Sequence, residues 1–248
     1  MSLLNTPLKV KILDEFKKAK TVSELIESIG VSRNTVKPHV RFLSDHHLIK
    51  KVENCYVLTE IGEILLNKIK ELEGLMELIE RYGEFFTTHD LFLLPKDLLE
   101  NLHLLRKCKV CTKKDPFEIR YDWAEVARRS SWLKCVGSVF YPELLRMFPS
   151  LAEGKREVKV IITGNVLESA KNLDPNLAKR CLELGEFYLC DDVPTSFWVS
   201  DKQLTFFLPS GGKFDPLNVL ICNDKDGIEW GSRLFEFYLQ KSTRIEKI

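Results

Sequence analysis

Residue types and spacings suited to specific chemistry occur in three parts of this 248-residue chain. The first is Ser32-Arg33-Asn34-Thr35, continued by Lys37, Pro38 and Arg41. A guanidinium and an amide at helical spacing suit base edges, and lysines suit phosphates. The second is Cys108-Lys109-Val110-Cys111, a spacing used by half of a zinc knuckle or by a thiol pair. The third is a scatter of polar and aromatic residues at the ends of expected elements: His89-Asp90, Asp191-Asp192, Phe214-Asp215 and Trp230. No Walker loop, Rossmann glycine set, GxSxG or HExxH occurs, and Gly211-Gly212 reads as a loop-forming pair rather than a phosphate cradle.

The first group is placed by residues 21–43, which read as two short helices joined by a tight turn. Thr21 followed by Glu24 gives the capping-box pattern, Leu25, Ile26 and Ile29 form one apolar face, and Gly30 stops the helix. Ser32 caps the second helix, which buries Val36, Val40 and Leu43. Asn34, Lys37, Pro38 and Arg41 then point outward. Pro38 lacks an N–H, so the spacing predicts a helix start near Asn34 or Thr35, with Pro38 in the first turn. Residues 7–19 form an earlier helix on the stripe Leu8, Ile12, Phe16 and Ala19. Residues 48–59 form a hairpin turning near Glu53-Asn54.

Three helices and a hairpin in that order make a winged helix, whose second helix-turn-helix element reads the DNA major groove. Such units also serve as plain packing elements, and basic helix faces are often merely solvated. The expected DNA-binding residues are Ser32, Arg33, Asn34, Thr35, Lys37, Pro38 and Arg41, with Lys50, Lys51 and Asn54 on the wing.

Thr59 caps a long helix expected to run to Tyr82 and to end at Gly83. Leu65, Ile69, Leu72, Met76 and Ile79 follow a 4-3-4-3 spacing, which suits either packing within the chain or pairing with a second copy. Two-fold DNA sites favour pairing. Beyond it, helices at 95–107, 116–129, 142–152, 165–184 (broken at Asp174-Pro175) and 224–241 alternate with strands. The strands fall at 109–112, 132–140, 157–163, 186–190, 196–200, 203–208 and 218–222. That pattern implies an α/β sandwich with a mixed sheet. Domains are expected at 1–60 (winged helix), 61–83 (linker and dimerisation helix) and 84–248 (α/β domain).

Composition agrees with a globular protein: 44% hydrophobic and 29% charged residues, with net charge +1. The charge is uneven, residues 1–70 carrying 12 Lys and Arg against 8 Asp and Glu. A basic head on a mildly acidic body suits phosphate contact at one end. Neither a membrane span nor a signal-peptide core is evident, so a cytoplasmic location is expected. The seven cysteines are scattered and argue against a disulfide framework. In the CxxC segment, strand geometry puts Cys108 and Cys111 on opposite sides, so ordinary buried or half-buried thiols are expected rather than a redox or metal site.

The chain resembles the archaeal winged-helix regulators of the FilR type, known from methanogens. The resemblance rests on SRNTVKPHVRFL, YVLTEIGEILL, THDLFLLPKDLL, VKVIITGNV, GGKFDPLNVL and GIEWGSRLFEFYLQKS. It implies transcriptional regulation, with a C-terminal effector-type domain of phospholipase D-like topology. Hydrolysis by that fold's chemistry requires a His nucleophile with Lys two residues on. Leu91 and Leu105 stand two residues after His89 and His103, so no enzyme activity is expected. An effector crevice at element ends would draw on His89, Asp90, Asp191, Asp215 and Trp230. The plain alternatives are helix or turn caps for the aspartates, a surface histidine, and core packing for Trp230. The expected partners are double-stranded DNA, a second copy of the chain and an unknown small-molecule effector, with no cofactor, metal or membrane. Rival readings are a thiol- or metal-responsive regulator using Cys108 and Cys111, and an enzyme or small-molecule binder that does not bind DNA.

Overall fold

The computed structural model describes residues 7–115 and 124–246. The chain divides into two compact units between Gly74 and Leu75. In the first unit, α1 (Pro7–Glu15), α2 (Val22–Ile29) and α3 (Arg33–Asp45) precede the hairpin β1 (Ile49–Val52) and β2 (Cys55–Leu58). The capping box at α2 is complete: Thr21 Oγ1 accepts from Glu24 N–H at 3.2 Å, and the Glu24 carboxylate accepts from Thr21 N–H at 2.7 Å. Gly30 closes α2 at φ 75°, a left-handed conformation that glycine adopts without strain. Ile12, Leu13, Phe16, Leu25, Val36 and Leu43 fill the core between the helices and the hairpin. This is a winged helix.

Two local expectations fail here. The first helix stops at Glu15 rather than Ala19, because Lys20 pairs as an extended residue with Tyr56 beside the hairpin. The second concerns Pro38. Ser32 caps α3 so that the helix begins at Arg33, and Pro38 sits inside the helix instead of in its first turn. The missing N–H there leaves the Asn34 carbonyl without its helical donor, on the exposed side of the helix.

The long helix α4 (Glu60–Thr88) does not end at Gly83; it kinks at Tyr82 (φ −137°, ψ 22°) and continues to Thr88. The 4-3-4-3 seam splits. Ile69 is buried and Leu65 packs against the winged-helix core, whereas Leu72, Met76 and Ile79 remain 48%, 49% and 50% exposed. Gly62 lies where a Cβ would overlap the Leu48 carbonyl oxygen, so only glycine lets α4 pass that close to the start of the hairpin.

The second unit holds an eight-stranded sheet. After α5 (Lys96–Glu100) come β3 (Lys109–Thr112), helical residues 124–128, β4 (Trp132–Gly137), α6 (Pro142–Ala152) and β5 (Glu157–Ile162). Next are α7 (Gly164–Leu173), α8 (Pro175–Leu184), β6 (Glu186–Leu189), β7 (Ser196–Ser200), β8 (Leu204–Phe207), β9 (Asn218–Cys222), α9 (Lys225–Leu239) and β10 (Thr243–Arg244). The expected helix at 116–129 falls in part, at 116–123, outside the described residues. The order is β10-β6-β5-β4-β7-β8-β9-β3, with β4, β5 and β6 parallel and the remaining pairs antiparallel. This is the mixed sheet that the alternating helices and the later meander imply.

Alternation along the strands assigns the two faces. Ile161, Phe197 and Phe206 face α9, where Trp230, Leu234, Phe235 and Tyr238 complete one core. Val160, Ile162, Trp198 and Phe207 face the other way, with Leu151, Leu167 and Cys181 of α6, α7 and α8.

The antiparallel register of β3 on β9 sets Lys109 against Ile221 and therefore Cys108 beside Cys222, Cα to Cα 4.3 Å, where the two form a disulfide. That corrects the reading of Cys108 as a free thiol. Its partner lies 114 residues away in sequence, a distance over which spacing carries no pairing information. Cys111 remains free and packs on the opposite face from Cys108, as strand alternation requires.

Candidate functional site

The α3 face is built from the cap outward. Ser32 Oγ accepts from Thr35 N–H at 3.3 Å and lies 2.9 Å from Thr35 Oγ1. Those two hydroxyls are therefore engaged in holding the start of the helix. Burial of Val36, Val40 and Leu43 leaves Arg33, Asn34, Lys37, Pro38 and Arg41 exposed on the remaining face. The Arg41 side chain is 83% exposed, with Nε 3.7 Å from the Asp45 carboxylate. An exposed pair of this kind is worth about 1 kcal/mol or less, so it yields readily to a stronger acceptor. Lys50, Lys51 and Asn54 are exposed on the wing. Lys50 and Lys51 are neighbours on one strand and so stand on opposite faces of the hairpin.

Sequence reasoning missed Lys9. It is buried beneath α3, with Nζ 4.1 Å from the centroid of the Phe42 ring, a cation–π contact. Burial first, and then the Lys9 charge, hold His39 of α3 below the ordinary histidine value. The positive surface of α3 is therefore carried by Arg33, Lys37 and Arg41. The available signal for Lys9 was its spacing, three residues before Ile12 and seven before Phe16, which places it on the side that those two bury.

Three of the five residues expected at an effector crevice meet, and they meet as a latch. Just past α4, His89 Nδ1 lies 2.7 Å from the Phe85 carbonyl oxygen and Nε2 lies 3.3 Å from Asp215 Oδ2. One neutral tautomer can donate to either oxygen but not to both. Asp215 also accepts from the N–H groups of Leu217 (2.8 Å) and Asn218 (3.2 Å) and from Asn218 Nδ2 (2.7 Å). Burial raises the Asp215 carboxyl, yet the bonds from Asn218, Leu217 and His89 outweigh it and hold the group below the usual carboxylate value. Asp90 Oδ2 accepts from Gly212 N–H at 2.7 Å, and Ser210 Oγ donates to the Thr88 carbonyl at 2.7 Å. Together these bonds tie the loop before β9 to the end of α4.

The other two residues lie elsewhere. Asp191 is exposed on the turn after β6 and takes no part in the latch. Trp230 is fully buried, its ring 5.5 Å from Phe206 and its Nε1 donating to the Leu98 carbonyl at 3.0 Å. It is a core residue, and the expectation of an effector contact there is corrected. A tryptophan on the inner stripe of the last helix satisfies both its ring and its N–H inside the fold. Among the described residues, no group of three or more His, Cys, Asp or Glu side chains is placed to hold a metal.

On the opposite face of the sheet is a cavity of about 180 Å³, bounded by β4, β5, β7, β8, α6 and α7. Phe140, Phe148, Phe187, Trp198, Phe207 and Phe214 supply much of its wall, and no Asp, Glu, Lys, Arg or His is among the described lining residues. Two thiols line it, and burial pushes Cys135 up to about 12 and Cys181 up to about 11, so both stay protonated. Ser196 Oγ, 2.8 Å from Ser138 Oγ, brings a hydroxyl to the lining. Apart from Phe214, the aromatic and aliphatic lining residues read in the sequence as ordinary core; only the fold shows that they do not close on one another.

Two family models match the chain. "Methanogenesis regulatory protein FilR1, N-terminal domain" covers residues 1–80, and the middle domain of the same protein covers residues 116–241. The chain belongs to the FilR1 family. Its winged helix falls within the FilR1 N-terminal segment, and every named cavity residue falls within the middle segment. His89 and Asp90 lie between the two, whereas Asp215 lies inside the second. A relative from Methanothrix harundinacea (strain 6Ac), named Methanogenesis regulatory protein FilR1, is 23% identical over an alignment of 255 positions that covers 98% of this chain. The chain spans 57% of that relative's length. The structure of TrmBL2, described as an archaeal chromatin protein with a novel mode of DNA binding, aligns over 98% of this chain and 95% of its own. With a TM-score of 0.46 and 12% identity it is too distant to bear on mechanism. The family is named for regulation, not for catalysis.

Proposed function

We propose that this chain is a transcriptional regulator that binds double-stranded DNA through α3 and the wing. The observation that carries the reading is the exposed α3 face, where Arg41 is bound only loosely to Asp45. A recognition helix needs a polar, basic, uncommitted surface on a rigid support, and α3 has both. Arg41 and Asn34 read base edges; Lys37, Lys50, Lys51 and Asn54 contact phosphates; Ser32 and Thr35 fix the start of the helix.

The regulator acts as a homodimer. Leu72, Met76 and Ile79 leave an apolar strip on α4 that water covers in the single chain, and two-fold operators suit paired heads. The working division is a winged helix at 1–60, a linker and dimerisation helix at 61–83 and an effector-type domain at 84–248. Among the described residues no helix is long and apolar enough to cross a membrane, and the cytoplasm is the site of action.

Fluorescence anisotropy on duplexes from the chain's own upstream region tests the reading. The chain should bind one duplex in the presence of excess competitor DNA, and the variant Asn34→Ala/Lys37→Ala/Arg41→Ala should not. Equal binding by the native and triple-variant chains overturns it. The Cys108–Cys222 disulfide favours a second reading, a thiol response; DNA affinity that changes with reductant in the native chain but not in a Cys222→Ala variant supports it.

A further inference from the structure

We propose that the cavity between the sheet and α6 and α7 is the effector site, and that it takes a small, neutral, apolar molecule of one or two rings or a short aliphatic chain. This rests on reading the chain as an effector-responsive regulator. Close-packed interiors leave few spaces larger than a water molecule, whereas this one, partly open to solvent, measures about 180 Å³. An apolar cavity of about 150 Å³ suffices for benzene, so this space suits a ligand of that size or slightly larger.

The lining sets the chemistry. Aromatic rings and aliphatic side chains give an apolar wall with no charged residue type among the described lining residues. A charged ligand would therefore be buried without a counter-charge, which is costly. The Ser196 hydroxyl, beside Ser138, offers one polar contact.

The position of the cavity gives a route for its effect. Phe214 and Pro216 line it, and Asp215 between them is held by His89 at the end of α4. A molecule seated against Phe214 and Pro216 therefore presses on the segment that latches α4. That same helix contributes Leu66 to the winged-helix core.

Calorimetry of the full chain with indole and toluene, with benzoate as the charged control, tests the site directly. Indole and toluene should bind one per chain and raise the Tm, because a ligand held only by the folded state stabilises it. Benzoate should not bind. Filling the space with Ala170→Leu, or with Val166→Phe if the first variant does not fold, should weaken indole binding at least about tenfold. The absence of indole and toluene binding to the native chain overturns the proposal. So does unchanged indole affinity in a folded, filled variant. Failure of the native chain to bind any DNA, with indole still bound in the cavity, removes the regulatory reading instead. His89→Ala should retain indole binding while abolishing the change that indole makes to DNA affinity.

Discussion

Replacing Asp215 by alanine removes the shared acceptor of the latch. The donors are the Leu217 and Asn218 N–H groups and Asn218 Nδ2, at 2.8, 3.2 and 2.7 Å, and His89 Nε2 lies 3.3 Å from the same carboxylate. The Asn218 amide and the His89 ring can turn to other partners, but the two backbone donors cannot. Each buried donor left without an acceptor costs about 1–3 kcal/mol, reduced here because the Asp215 side chain is 17% exposed and water reaches part of the site. The expected loss is about 2–4 kcal/mol, which lowers the Tm by roughly 5–15 °C for a chain of this size. The pH dependence follows from a carboxyl held below its usual 3.8. A depressed carboxyl gives stability that is fully present above the unfolded value and is lost as pH falls through the folded one. The difference between native and Asp215→Ala should thus be full at pH 7 and shrink below pH 3.8. Thermal unfolding of both chains at pH 7 and about pH 3 measures it, with Asp215→Asn as the variant that keeps the shape. A variant as stable as the native chain at pH 7, or a gap that persists undiminished in acid, would refute the latch.

Leu72→Glu with Met76→Glu puts like charges on the exposed strip of α4 and should give monomers with weaker DNA binding; a native chain that runs as a monomer in light scattering removes the dimer. Alkylation of the unfolded, unreduced chain should modify five cysteines, and reduction should expose two more, Cys108 and Cys222; seven labels without reduction exclude the disulfide. Gly62→Ala should destabilise the winged helix by about 1–3 kcal/mol, because the new Cβ meets the Leu48 carbonyl oxygen; an unchanged urea midpoint contradicts that packing.

Legibility in the sequence followed the range of the interaction. The capping box of Thr21 and Glu24, the Ser32 cap, the Asp174-Pro175 break and the wing turn are all local, and each was readable from a few neighbouring residues. Strand periods in the second unit were readable for the same reason, although β10, a two-residue edge strand, left no pattern. Pro38 misled because a cap outweighed a proline: Ser32 starts the helix where its hydroxyl meets Thr35, and the helix tolerates the defect on its exposed side. The seam of α4 misled because an apolar period says that a face is buried without saying by what. Pairings between distant segments were invisible. Nothing in the sequence joins Cys108 to Cys222 or ties His89 to Asp215, whereas core packing of Trp230 was among the readings that its helix allowed. The cavity is harder still, since a residue lining a void and a residue filling one have the same composition.

The most direct test of DNA recognition by α3 compares Arg41→Ala with Lys51→Ala on cognate and scrambled duplexes at two salt concentrations. A guanidinium forked onto guanine discriminates by about 1–3 kcal/mol, so Arg41→Ala should weaken cognate binding roughly 5- to 150-fold and scrambled binding far less. Phosphate contacts carry no sequence information. Lys51→Ala should therefore weaken both duplexes alike and lower the salt slope by roughly one for each phosphate left without its lysine. Equal losses on both duplexes for Arg41→Ala would contradict base reading at that position. No loss on either would show that α3 does not face the DNA.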